Sequence, residues 1–473
     1  MAGGMGWGIR GQYGHETGAM IAGVLVGLVL VFLFCPRISS LQAARAVAMI
    51  ALGISFGGSM TYGQTVGLTH DGPLIGNGEA LRWGLLGLFI KGGLWIGFAG
   101  LFLGIGLSEK RYSAWELTVL LCVSVLLLLG GVELLNKPFD PENRLLPVIY
   151  FSDHWRWEPD SILKPRPERW GGLLFALGGL WLYVTLIKRD ALAQQLTLWG
   201  VLAGGLGFAG GQCVQAAHAW HPTFFDEGWL TPIAQHINWW NAMETSFGCI
   251  FGAVLAYGVW RNRHRLVQTS TEVEITLTPA AEIILLVIHI AAVVTEGFIP
   301  FRPMARFAEP AITMGILPIL GIMAGRWWPY LFALPIVAIP IAGKTLKALA
   351  YKPEAIPEIP EVAGICVYLL IPLFLVTSIA IRFAKDPTKA GLSFTRWSLV
   401  IMVWMYFLLN WAFFRFPWPW ETWTGRTPSG LVFTLFAFAL TFAAVLLHRS
   451  LPPLDVKPTP TRTRPTLPWE KGP

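Results

Sequence analysis

The residues best suited to chemistry gather in one recurring pattern. The stretch from Gly3 to Gly23, GGMGWGIRGQYGHETGAMIAG, sets Arg10, Gln12, His15 and Glu16 among glycines, directly before an apolar run. A Gly-rich helix end, a Gly-Gln step, a polar segment with His or Asp, and a Glu opening an apolar helix then recur. One copy carries Gly57, Gly58, Gly63, Gln64, His70, Asp71 and Glu79. Another carries Gly204, Gly205, Gly211, Gln212, His218, Asp226, His236 and Glu244. Backbone freed by glycine can approach a ligand closely, with the polar groups between positioned to contact it.

The loop near 212–243 is the richest polar segment. It offers His218, His221 and His236 with Asp226 and Glu227, just ahead of Glu244, among Trp220, Trp229, Trp239 and Trp240. Carboxylates flanking a bond, with aromatic faces against a sugar ring, are what glycoside chemistry requires, and histidine can shuttle protons. The same Trp residues also fit an interfacial aromatic belt. A metal site from His218, His221 and Asp226 would need a helix that Pro222 interrupts, so no metal and no cofactor is assigned.

The loop near 134–170 repeats this composition. Asp153, His154, Trp155, Arg156, Trp157 and Glu158 lie at its centre, with Asp140, Glu142, Arg144, Arg166 and Arg169 nearby. Arg binds phosphate bidentately, so paired Arg and Trp suit an anionic, ring-containing ligand. Pairing of Arg with Asp across a structured loop explains the same residues. Arg82-Trp83-Gly84 and Arg169-Trp170-Gly171, each followed by Gly-Gly-Leu-Trp, add a second echo of duplication. Phe416-Pro417-Trp418-Pro419-Trp420 is either a sugar-binding surface or part of the belt.

Glutamates precede or open many apolar runs: Glu16, Glu79, Glu168, Glu244, Glu309, Glu361 and Glu421. They form either a carboxylate cluster at one membrane surface or complements to helix dipoles, which favour acids at N-termini. Few ionisable groups lie deeper. Lys91 and His289 sit within apolar runs, and Glu133, Glu296 and Asn410 lie near their ends. Charges at membrane depth are functional hypotheses by default, although Lys91 could snorkel. No GxxxxGK[ST] loop or HExxH helix is present. Gly6, Gly8 and Gly11 carry a dinucleotide-type spacing, but no strand precedes them.

The elements that must position these residues are helices. The chain has 473 residues, 54% hydrophobic and 13% charged, with a mean hydropathy of +0.55. Soluble domains carry about 25% charged residues. Long apolar runs recur throughout, and alternating barrel strands are absent, so the expected fold is an all-α polytopic membrane protein. About thirteen spans of roughly 17–25 residues are expected. They lie near 17–35, 42–60, 82–106, 113–133, 171–187, 194–211 and 245–260. The rest lie near 280–299, 310–325, 328–345, 363–383, 396–414 and 429–447. The glycines of the first span allow part of it to be a half-helix.

Positive charge sets the orientation. Arg37, Arg45, Lys110, Arg111, Lys188, Arg189, Arg261, Arg263, Arg265, Arg382, Lys385, Lys389 and Arg396 all fall on one side if the spans alternate. That side is expected to be cytoplasmic, with the N-terminus outside a bacterial inner or plasma membrane and the C-terminus inside. Residues 1–16, 61–80, 134–170, 212–243, 300–309, 345–362 and 415–428 then face outward. The formal charge of +7 needs no nucleic acid partner. The five cysteines are scattered and indicate neither a disulfide framework nor a zinc site. No cleavable signal is expected.

Three regions follow: 1–270 as the Gly-rich half bearing an extracytoplasmic polar cavity, 271–450 as a supporting half, and 451–473 as a disordered Pro-rich tail. The expected function is a membrane-embedded enzyme acting on a glycan or lipid-linked sugar by glycosyl transfer or hydrolysis. Glu244 or Asp226 would be the acid or base, with Glu16 and Glu79 across the cavity. His15, His218 and His236 would move protons. Arg10, Arg82 and Arg169 would hold anionic groups, with Gln12, Gln64 and Gln212 beside them. Trp155, Trp157, Trp239 and Trp240 would stack on rings. A secondary transporter using Lys91, His289 and Glu296 is the alternative, and a non-catalytic component of an envelope assembly is a third. The partner common to all is the lipid bilayer.

Overall fold

The computed structural model describes residues 1–227, 231–268, 275–298, 315–351 and 359–450. The regular structure of these residues is helical, and apart from isolated bridges they form no strand. The first half contains α1 (Ala2–Arg10), α2 (Glu16–Phe34), α3 (Ser40–Gly57), α4 (Gly63–Gly67) and α5 (Gly78–Leu107). It continues with α6 (Ala114–Leu135), α7 (Trp170–Ile187), α8 (Ala191–Trp220) and α9 (Trp239–Arg261). The second half contains α10 (Pro279–Phe298), α11 (Leu317–Ala324), α12 (Trp328–Ala350), α13 (Glu361–Ala384), α14 (Gly391–Phe413) and α15 (Thr427–Ser450).

Among the described residues, ten helices are long and apolar enough to cross a membrane. They fit an integral multi-pass membrane protein. Three of the expected spans are not among them. Helix α8 covers 194–211 and is 30 residues long, but glycine and glutamine dilute its apolar content. At 280–299 the helix runs Pro279–Phe298, with Pro279–Ala292 its apolar part among the residues whose side chains are described, and the run near 310–325 lies partly outside the described residues. The peripheral helices carry apolar side chains outward: Leu126 and Leu134 on α6, Phe374 on α13, Leu435 and Phe442 on α15. Such large exposed apolar faces suit lipid rather than water.

The N-terminal stretch is not a surface segment. All nine residues of α1 are buried. The helix packs against α2 and α9, and Trp7 reaches the aromatic rings of Trp95, Phe247 and Phe251 at 5.0, 4.3 and 5.5 Å. The chain breaks at residues 11–15, where Gly14 adopts φ +95°, before α2 begins.

Most glycines of the recurring pattern serve helix packing rather than ligand approach. A methyl at Gly204 of α8 would lie 1.9 Å from the Gly92 carbonyl oxygen of α5, and one at Gly100 would lie 2.1 Å from the Leu196 carbonyl. Gly3 of α1 and Gly248 of α9 oppose each other in the same way, at 2.2 Å. Small residues let helix backbones touch where the surrounding lipid provides no hydrophobic drive between helices.

Gly204→Leu is therefore expected to cost at least about 1–3 kcal/mol through overpacking and to lower the thermal midpoint in detergent. Gly130→Ala, at an open helical site with nothing within 4 Å, should leave it unchanged or raise it by up to about 1 kcal/mol of stability. Paired unfolding curves check both.

Candidate functional site

Helix α1 ends by placing Arg10 inside the protein, 1% exposed. Its guanidinium pairs with Glu244 of α9 at 3.1 Å and donates to the Tyr62 hydroxyl at 2.8 Å. The rings of Trp7, Trp95 and Tyr62 surround it, with centroids 4.6, 5.3 and 5.6 Å away. Glu244 does not open its helix. It lies a turn inside α9, buried, where Trp240 Nε1 donates to Oε1 at 3.2 Å and Asn241 Nδ2 approaches Oε2 at 3.5 Å. Gly11 makes room for it, since a methyl there would lie 2.4 Å from Oε2. Asn241 also donates to the Gly8 carbonyl at 2.7 Å, which fixes α1 against α9.

In front of this pair lies a polar cleft of about 260 Å³, lined by His15, Thr61, Tyr62, Gly63, Gln64, Ser152, Arg166 and Trp240. His15 stacks on Tyr62 with centroids 4.8 Å apart, and its Nδ1 lies 3.2 Å from the Met60 carbonyl oxygen. Burial, reinforced by the Arg10 charge, pushes its pKa down to about 4, so the imidazole is neutral at physiological pH. Burial likewise raises the Tyr62 phenol above its ordinary range. Gln64 is clamped, donating to the Lys164 carbonyl at 2.8 Å and accepting from the Arg166 backbone N–H at 3.0 Å.

A second ion pair sits behind Ser152. Lys91 of α5 and Glu168 have fully buried side chains 2.5 Å apart. Lys91 also donates to Thr65 Oγ1 at 2.6 Å, Ser152 Oγ donates to Glu168 Oε1 at 2.7 Å, and the Phe151 N–H donates to Oε2 at 3.0 Å. Lys91 does not snorkel. Sequence spacing pointed to Glu168 only as a helix-opening acid, and neither Ser152 nor Tyr62 was singled out.

The cleft and its buried backing thus unite Arg10, His15, Gln64, Trp240 and Glu244. Glu16 opens α2 close enough for its charge to act on Arg10 and Tyr62. Other candidates lie elsewhere. Glu79 and Arg82 are exposed on the first turns of α5, and Gln12 and Arg169 are half-buried without lining the cleft. His218 stacks on Trp239 at 4.2 Å, and His236 faces Trp423 at 5.7 Å. Gln212 is buried and donates to Thr69 at 2.7 Å. Trp155 donates to the Ser161 carbonyl at 3.1 Å, and Trp157 packs beside Leu68 and Leu74. The side chains of Asp226 and Glu296 lie outside the described residues, as does Glu309.

Elsewhere, His154 Nε2 meets Asp71 at 3.3 Å, and this contact holds the Asp71 carboxyl below its usual range. His289 is buried with neither ring nitrogen bonded among the described residues. Gly53-Ile54-Ser55-Phe56-Gly57 matches the GxSxG pattern of nucleophile elbows. It lies inside α3, though, with Ser55 buried and Gly53 and Gly57 pressed against the Phe98 and Trp95 carbonyls. Among the described residues no group of three or more His, Cys, Asp or Glu is placed to hold a metal.

Glu244→Gln should leave the Arg10 charge buried and cost about 3–5 kcal/mol, while an Arg10→Met, Glu244→Met double variant should cost less than the two single variants summed. A double-mutant cycle in thermal unfolding checks this. His15 supplies a pH signature. Its unfolded imidazole takes a proton near 6.5 and its folded one near 4, so its contribution to stability should fall as pH drops across that window. His15→Asn should flatten that segment of the stability–pH curve.

No protein-family model, curated protein or solved structure matches this chain.

Proposed function

We propose that the chain is a membrane-embedded enzyme whose cleft takes the head of a lipid-linked sugar or glycan and carries out a transfer or hydrolysis on it. The observation that carries this reading is the convergence of a ring face, a cation and a neutral imidazole in one open cleft: Trp240, Arg166 and His15. Trp240 supplies an aromatic face for a sugar ring. Arg166 supplies a planar donor fork for phosphate oxygens. His15, unprotonated at neutral pH, accepts a proton. Glu244 takes a positioning role in this scheme, because Arg10, Trp240 and Asn241 already occupy its carboxylate.

All the cleft-lining residues come from segments 1–16, 61–80, 134–170 and 212–243, the set opposite the Lys- and Arg-rich loops. The positive-inside rule therefore favours an extracytoplasmic site. The other ends of α2 and α5 are apolar and buried from Val24 to Leu28 and from Phe98 to Leu103, which favours chemistry at one surface.

A secondary transporter is the second reading. The breaks between α1 and α2 and between α3 and α4, beside the buried Lys91, resemble the discontinuous helices that form transporter sites. One experiment separates the two. Protein in liposomes is offered labelled polyprenyl-phosphate sugars and free sugars, and both conversion and lumenal accumulation are measured. Conversion without accumulation, reduced about 10- to 100-fold in Arg166→Ala through loss of charged hydrogen bonds, is the expected result. Gradient-dependent accumulation of unchanged solute would favour the transporter.

A further inference from the structure

We propose that Ser152 is the nucleophile of the cleft and attacks phosphorus in a phosphodiester or pyrophosphate-linked lipid. The proposal rests on the reading of the cleft as an active site and names the step that occurs there. Ser152 joins the cleft to a buried charged network, and donor arithmetic fixes its hydroxyl. Lys91 donates to Thr65 Oγ1 and to Glu168, and the Ser152 hydrogen goes to Glu168 Oε1. Thr65, 2.8 Å from Ser152 Oγ, must then donate to it. The serine proton is held against a carboxylate at 2.7 Å while the Lys91 ammonium stands 3.4 Å from Oγ.

That is the arrangement a serine requires. Its hydroxyl is a weak nucleophile until a neighbouring base takes its proton, and a fixed cation in a site of low dielectric favours the charge that develops on Oγ. Glu168 is kept in place by the Phe151 N–H on its second oxygen. The loop carrying Ser152 is anchored in turn, since Trp83 Nε1 donates to the Tyr150 carbonyl at 3.1 Å and Phe151 packs between Trp83 and Trp170. Across the cleft, Arg166 is available for phosphate oxygens.

The step balances without a co-reactant. The Oγ–P bond forms as the bond from phosphorus to the leaving oxygen breaks. The serine proton passes to Glu168 Oε1 and stays there, while the leaving oxygen, in line on the cleft side of phosphorus, departs as a phosphate anion or takes a proton from water. An acceptor hydroxyl or water then attacks the phosphoseryl group from that side, its proton goes to His15 or to water in the cleft, and Ser152 Oγ leaves with the proton held on Glu168. A buried ion pair costs stability relative to apolar packing of the same volume, and this role gives a reason to retain one beside an open cleft.

The test is covalent and independent of the natural substrate. Full-length protein in nanodiscs is treated with a fluorophosphonate; Oγ–P forms, P–F breaks, and fluoride leaves. Peptide mass mapping should place the adduct on Ser152, with none in Ser152→Ala and labelling slowed about 100-fold or more in Glu168→Gln. Because Glu168→Gln strands the Lys91 charge and can unfold the chain, Ser152→Cys treated with a methanethiosulfonate supplies a second measurement. A reactive cysteine there with no phosphonylation of the native serine would overturn the proposal, as would an unreactive cysteine or an adduct that survives in Ser152→Ala. Turnover of lipid-linked sugars without Ser152 labelling would sink this step and leave the enzyme reading standing. Labelling without such turnover would keep the nucleophile and sink the sugar substrate.

Discussion

Two full charges and their counter-ions are held inside an apolar helical bundle, and the rest of the architecture answers to that burial. Moving an ion out of water costs several kcal/mol after relaxation, and only close pairing with every remaining lone pair and proton satisfied offsets it. The Lys91–Glu168 site comes close to this demand, whereas at the Arg10 site the guanidinium Nε has no hydrogen-bond partner among the described residues and aromatic faces surround it instead. Glu168 receives Lys91, Ser152 and a backbone N–H. Glu244 receives Arg10 and Trp240, and three aromatic faces enclose the guanidinium. Each pair ties together elements that lipid cannot drive together. Arg10 links the end of α1 to α9, and Lys91 links the middle of α5 to the residue just ahead of α7.

The glycines make those links geometrically possible. Arg10 reaches Glu244 because α1 lies backbone to backbone on α9 at Gly3 and Gly248, and because Gly11 leaves space for the carboxylate. In the same way, contact of α5 with α8 along Gly92, Gly100 and Gly204 fixes the helix that carries Lys91. The close packing and the buried charges are one design. A bulkier residue at these glycines would meet the facing helix backbone or, at Gly11, the Glu244 carboxylate itself.

This coupling explains what the sequence displayed and what it hid. Helical, membrane-type architecture was legible from apolar runs alone, because backbone groups in lipid leave few alternatives. The residues that line or back the candidate cleft, His15, Gln64, Trp240, Arg10 and Glu244, all belong to the recurring Gly-Gln pattern or its loops. Helix α1 was not legible as a buried element, because nine residues rich in glycine look like a polar loop and are too short to register as a span. The ion pairs were hidden for a different reason. Arg10 and Glu244 are separated by 234 positions and Lys91 and Glu168 by 77, and no periodicity joins residues that distant. Glu168 and Glu244 shared the look of helix-opening acids with Glu79, which is exposed; only tertiary packing separates them.

The neutrality of the two pairs also decides the character of the cleft between them. Arg10 with Glu244, and Lys91 with Glu168, cancel to first order, so neither pair projects a strong net charge into the open space. His15 adds none at neutral pH because burial and the Arg10 charge hold it unprotonated. Among the cleft-lining residues that leaves Arg166 as the charged group, with hydroxyl, amide and aromatic groups around it. Glu168 and Glu244 are already committed to Lys91 and Arg10, and the Glu16 charge also reaches Arg10 and Tyr62. The buried charges hold the frame in place, and among the described cleft-lining residues Arg166 is the cation left at the surface.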